Sequence, residues 1–179
     1  MKILGKNSLS SKVENGLKVL FFIIVLLDVI VLAISSLTIF SEFNSSWMLE
    51  NYLFKIILIT IISIVLLSTG VVALFIIHQF IKIFKNLREN KLFEEENIKY
   101  LNKVSILSIV MGILYFVVFI GVSIILCNYI PFDSLSDLLI KILIFIFSIA
   151  FLVFGIGIKI LNEIYKKAIE YKEENELTI

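Results

Sequence analysis

Four stretches of predominantly apolar residues constrain this chain more than any motif it carries. They run from about Gly16 to Phe40, from Leu53 to Phe80, from Val104 to Cys127 and from Leu138 to Ile160. Crossing the hydrocarbon of a bilayer takes about 20 such residues in a helix, and each stretch is long enough. Isoleucine, valine and phenylalanine are abundant, a composition that in water favours strands. Length overrules it, because a buried strand runs about 4–8 residues. Hydrocarbon also obliges each segment to satisfy its own backbone polar groups, which leaves helices or a closed barrel. No apolar-polar alternation of the barrel kind is present. Only 17% of the residues are charged, well below the quarter usual in soluble domains.

The sequence therefore predicts an all-α fold. It is a four-helix transmembrane bundle, one integral membrane domain over residues 1–179, with spans at 16–40, 53–80, 104–127 and 138–160. Lys2, Lys6 and Lys12 precede the first stretch and "AIS" stands at 33–35, as in a secretory signal peptide. The long apolar run, interrupted by Asp28, argues instead for a retained span.

Basic residues orient the spans. Of 16, four lie at or before the start of span one, six in the loop 82–103 and four from Lys159 onward, leaving only Lys55 and Lys141 on the other side. Both termini, the loop 82–103 and the tail 161–179 are thus expected in the cytoplasm, which places the chain in the cell membrane. The outer loops are short. One offers Trp47 and Tyr52, rings suited to the membrane interface, and the other Pro131, the only proline.

The central loop "NLRENKLFEEENIKYLNK" (86–103) reads as a connector. Phe80, Ile83, Phe84 and Leu87 follow helical spacing, so span two is expected to continue out of the membrane. Asn90 is its expected stop. Glu94, Glu95 and Glu96 begin the next helix, where negative charge complements the macrodipole. Ile98, Leu101 and Val104 carry its apolar side into span three. In the tail, Ile160, Ile164, Lys167/Ala168 and Tyr171 are the expected, modest apolar stripe of a helical extension of span four.

Two motifs carry a resemblance. "LFEEENIKYLNK" places Phe93, Glu96, Asn97 and Leu101 where a bacterial membrane family has a proline-phenylalanine-serine/threonine pattern, then glutamate-asparagine and a leucine. "EENELTI" (173–179), with Glu174, Asn175, Leu177, Thr178 and Ile179, is similar to that family's ending. Leu92 stands in place of the proline, and Glu94 in place of the capping serine or threonine, which weakens the cap. The chain thus resembles the family catalogued as domain of unknown function 2975, across nearly its whole length. The resemblance implies four spans with both ends inside. Family members are often encoded beside short helix-turn-helix regulators, which implies a cytosolic regulatory partner.

Within the membrane, Asp28 is the principal candidate, since an ionised carboxylate at mid-span costs about 2.5–3.5 kcal/mol on insertion scales. Ser35, Ser68, Thr69, Tyr115 and Ser148 fall near the same depth, so a polar cluster around Asp28 is expected, as interhelical glue or as a proton or ion relay. His78, the only histidine, lacks a second ligand for a metal. Cys127, the only cysteine, permits no internal disulfide. "EEENIK" has paired glutamates like those of an intramembrane prenyl-protein protease family, but its basic residue is lysine and no histidines follow. No phosphate loop, zincin motif or second intramembrane aspartate is present.

No catalytic, cofactor-binding or metal residue is assigned, and an enzyme is not expected. The net charge of +1 offers no concentrated basic face for nucleic acid. The lipid bilayer is one expected partner, a cytosolic regulatory protein another. Ser108/Gly112 and Thr69/Ala73 are small-residue pairs that permit close helix contact and leave a homo-oligomer open. The leading expectation is a non-enzymatic membrane partner or sensor that presents the loop and tail. The alternative is a small transporter or proton-coupled permease subunit built on Asp28.

Overall fold

The structure, a computed structural model, describes residues 8–45, 51–129 and 135–177. Four helices account for nearly all of them: α1 Leu9–Ser45, α2 Asn51–Arg88, α3 Glu95–Tyr129 and α4 Leu135–Leu177. All four are long and apolar enough to cross a membrane. The outer-loop residues Trp47 and Pro131 lie outside the described residues, as do Thr178 and Ile179.

Each helix outruns its apolar stretch. α2 continues to Arg88 with Phe80, Ile83, Phe84 and Leu87 all buried or half-buried, as their spacing predicts. The stop is Asn90, whose φ of 61° is left-handed. Its N–H donates to the Leu87 carbonyl at 3.2 Å, and the Lys91 N–H donates to the Asn86 carbonyl at 2.9 Å. That pair of bonds is a Schellman cap, for which asparagine is the second choice after glycine.

Among the described residues, the backbones of α1 and α2, of α2 and α3 and of α3 and α4 come close, and those of no other pair do. The helices therefore stand in chain order, with α1 and α4 at the two edges. A small apolar core sits where α2, α3 and α4 come together. Ile76, Val104 and Ile158 form it, with Val72, Phe80, Leu101 and Leu107 against them. Many other apolar side chains face outward; Phe22 and Leu37 of α1 are 73% and 67% exposed, as lipid contact allows.

What brings the helices close is small residues. α3 and α4 run antiparallel with Ser105 opposite Gly155 and Gly112 opposite Ser148. The Ser105 hydroxyl donates to the Gly155 carbonyl at 2.8 Å, and the Ser148 hydroxyl to the Gly112 carbonyl at 2.9 Å. The two bonds are reciprocal because each helix carries serine and glycine seven residues apart, "SILSIVMG" and "SIAFLVFG". A heptad keeps one seam facing a left-handed partner. α2 repeats the spacing in "SIVLLSTG" (63–70), but there the facing helix, α1, brings Asp28 to the glycine. A Cβ on Gly70 would overlap the Asp28 carboxyl group.

Candidate functional site

The connector 89–94 is held by one side chain. Asn97 is 1% exposed. Its Nδ2 donates to the Lys91 carbonyl at 2.9 Å and to the Leu92 carbonyl at 3.1 Å, and its Oδ1 accepts from Asn86 Nδ2 at 2.9 Å. One amide thus ties the end of α2, the turn and the start of α3. A buried amide has this many bonding positions and is costly if they go unfilled. Glu94 immediately precedes α3 and its carbonyl accepts the Asn97 N–H at 3.0 Å. Its carboxylate faces Lys91 at 3.8 Å. Glu95 and Glu96 occupy the first turn of α3.

The tail of α4 lies against this connector. Tyr165 Oη is 3.5 Å from Asn97 Nδ2, and its ring stacks on Phe93 with centroids 6.2 Å apart and planes 15° from parallel. Lys172 Nζ stands 5.6 Å from the centre of the Phe93 ring. A few residues on, a cavity of ≈ 260 Å³ opens between the helices, lined by Glu95, Ile98, Lys99, Lys166, Ile169, Glu170 and Glu173. Phe93 remains 43% exposed, so an ordered aromatic surface is offered to solvent. Glu96 is exposed and takes a hydrogen bond from Tyr100 Oη at 3.4 Å. Leu101 packs beneath, against the core. Glu174 is exposed, and Asn175, also exposed, precedes Leu177 at the helix end.

The tail docks by a different face from the one its spacing suggests. Ile160, Ile164 and Tyr171 are 58–65% exposed and Ala168 is half-buried, whereas Ile158, Asn162 and Ile169 are buried. Tyr165 completes that inner stripe. Polar Asn162 and Tyr165 are residues that ordinarily mark a solvated face, but Asn162 is buried and Tyr165 Oη reaches Asn97 of α3.

In the membrane the residues expected around Asp28 do not gather there. Ser35, Ser68 and Thr69 each donate to a carbonyl of their own helix, Leu32, Val65 and Leu66, and Ser148 donates to Gly112. A hydroxyl has one proton, and each is spent. Tyr115 approaches Thr69 across the α2–α3 seam and stacks on Phe151 with centroids 5.6 Å apart. Asp28 belongs to the other face of α2, against Gly70. The expected cluster is therefore spread over three seams, with Asp28 between α1 and α2, Thr69 and Tyr115 between α2 and α3, and Ser148 between α3 and α4.

The sequence signature described as "Protein of unknown function (DUF2975)" matches residues 50–179. The chain belongs to this family. No curated protein and no solved structure matches it. The matched part of this DUF2975 protein spans α2, α3 and α4, including Asn97, Phe93 and the tail, and leaves α1 with Asp28 outside.

Other polar residues, apart from Ser108 of the small-residue pair, are not singled out by the sequence. Glu14, 2% exposed, sits between Lys18 Nζ at 2.7 Å and Arg88 Nη1 at 2.9 Å. The guanidinium is close enough to pair, although its N–H is not aimed at the oxygen. That ion pair joins the start of α1 to the end of α2. Gln79 Oε1, Ser108 Oγ and Asn162 Oδ1 are buried with no hydrogen-bond partner. Lys82 stands over the Tyr100 ring at 5.4 Å. Only Glu14 carried a local signal, the Lys18 four residues on, a spacing common on solvated helices.

Proposed function

We propose that this DUF2975 protein is a non-enzymatic membrane partner or sensor. It sits in a bacterial cell membrane with both termini in the cytoplasm and presents the central connector and the α4 tail jointly to a cytosolic regulatory protein. The observation that carries this reading is the Phe93–Tyr165 stack. It makes one surface from two segments 72 residues apart in sequence, with Asn97 fixing the connector beneath it. A surface built this way can respond to a movement of α4 relative to α3, which suits a device that reports on the membrane. Orientation rests on the basic residues flanking the connector and tail.

A pull-down from bacterial cytosol tests the reading with full-length protein, a variant lacking residues 173–179, and Phe93→Ala. The expected result is a partner recovered by the full chain and lost from both variants. Recovery of nothing, or of the same proteins by all three, would defeat it. A fluorescent protein fused after Ile179 should mature, as it does in the cytoplasm.

A further inference from the structure

Between α1 and α2, toward the ends that carry Glu14 and Arg88, the seam holds a groove. One compartment, of ≈ 270 Å³, is lined by Lys18, Phe21, Phe22, His78 and Ile81. The next, of ≈ 330 Å³, is lined by Phe21, Val71, Leu74, Phe75 and His78. Phe21 and His78 border both, so the two are continuous. On α2 the lining positions 71, 74, 75, 78 and 81 recur every three or four residues, one stripe of the helix. It is about 15 Å long at about 1.5 Å per residue.

The surface of both compartments is almost wholly apolar; Lys18, at the Ile81 end, and His78, where the compartments join, are its polar side chains, and Val71 at the other end stands beside the Gly70 level. Lys18 gives Glu14 one hydrogen bond, yet its side chain stays 49% exposed. Arg88 also faces Glu14, at 2.9 Å. Two cations thus share one buried carboxylate, leaving a surplus positive charge beside the exposed His78. Two exposed basic side chains beside an apolar trough, within helices that cross a membrane, match the form of a phospholipid.

We infer that this groove binds one anionic phospholipid. The Lys18 ammonium and a His78 ring N–H hold the phosphate, and an acyl chain lies along Phe21, Leu74, Phe75 and Val71. A zwitterionic phospholipid brings the same phosphate, but its own cation meets the surplus positive charge. The site therefore discriminates by net charge. This inference does not depend on the partner reading above.

The test uses the full chain purified in detergent, titrated with phosphatidylglycerol or phosphatidylcholine of identical acyl chains and followed by native mass spectrometry. One equivalent of phosphatidylglycerol should bind about five-fold more tightly than phosphatidylcholine, the effect of about one charge at a membrane surface. Lys18→Gln with His78→Ala should abolish the preference, while Lys18→Arg keeps it. Val71→Trp, which fills the trough, and Phe75→Ala, which removes its wall, should each weaken both lipids. Their thermal midpoints report whether the fold survives. Excess glycerophosphoglycerol, the headgroup without chains, should not displace the lipid. Equal binding of the two lipids, a preference that survives in the double variant, or displacement by the bare headgroup would overturn the inference.

Discussion

The α1–α2 and α3–α4 seams start from the same sequence device and end differently. α2, α3 and α4 each carry a serine seven residues before a glycine. Across α3–α4 two such pairs meet head to tail, and both serines bond to the facing glycine's carbonyl. Across α1–α2 only one glycine is offered. Asp28 fills its notch, and Ser63 turns back to the Ile59 carbonyl at 2.9 Å. Lipid gives apolar helices little reason to prefer each other over acyl chains, so close backbone approach and polar contacts decide association. A seam with paired glycines and reciprocal bonds fixes a register. A seam with one notch and a carboxyl group leaves grooves along its length, and the lipid groove proposed above is such a gap.

The largest effect should come from closing the tight seam. A Cβ on Gly155 would stand 2.8 Å from Ile109 Cγ1, 2.9 Å from the Ser105 carbonyl and 3.0 Å from the Ile109 nitrogen. Backbone cannot rotate aside, so the helices must part. Gly155→Ala should cost about 1–3 kcal/mol, the usual range for overpacking, measured by denaturant unfolding in mixed micelles. Gly157→Ala, with nothing within 4 Å, should be neutral or gain up to about 1 kcal/mol from helix propensity. If the two alanines behaved alike, close approach at Gly155 would not be what sets the α3–α4 seam.

Asn97 comes next. Asn97→Ala leaves the Lys91 and Leu92 carbonyls and the Asn86 amide without their partner, at about 1–3 kcal/mol for buried groups. The loss should be local: faster hydrogen exchange and protease cutting between 86 and 97, with the membrane helices unchanged. Asn97→Asp keeps the acceptor for Asn86 but loses both donations, and should open the turn nearly as far.

These residues show what the sequence could convey. The spans, the Asn90 stop and the α2 extension were legible because length, charge and the αL preference act locally. Seam-facing positions were not. In helices apolar all round, hydrophobic periodicity does not mark an inner face, and equal depth in the membrane does not mean equal azimuth. Asp28, Ser35, Ser68, Thr69, Tyr115 and Ser148 therefore looked like one cluster, although Asp28, the Thr69–Tyr115 pair and Ser148 face different helix pairs. The seven-residue serine-glycine spacing was present in the sequence, but only the helix pairing shows which copies face each other. In the tail, Asn162 and Tyr165 hid the docking face because polar side chains ordinarily mark the solvent side.

A smaller effect belongs to the looser seam. Gly70→Ala places a methyl group in the Asp28 notch, but the displaced atoms end a flexible side chain that can swing away. The expected cost is about 1 kcal/mol, below that of Gly155→Ala. Asp28→Ala should largely erase it, so a double-mutant cycle should show clear coupling between the two positions. Additive losses would mean that the carboxyl group does not occupy the notch.

The smallest effect is the most discriminating. Ser105→Ala and Ser148→Ala each remove one interhelical hydrogen bond and leave the glycines in place. Such bonds average about 0.6 kcal/mol in membranes, because an unfolded helix in lipid also finds partners. Each variant should therefore lose about that much, far less than Gly155→Ala. The pair should be close to additive, since each serine bonds a different carbonyl. Ser63→Ala is the matched control: its hydroxyl serves its own helix, so its loss should leave the α1–α2 seam unmoved. If Ser105→Ala destabilised the protein as strongly as Gly155→Ala, the hydrogen bonds would hold the seam together. If neither serine mattered, close packing across the glycines would hold it alone, with the bonds following from contact already made.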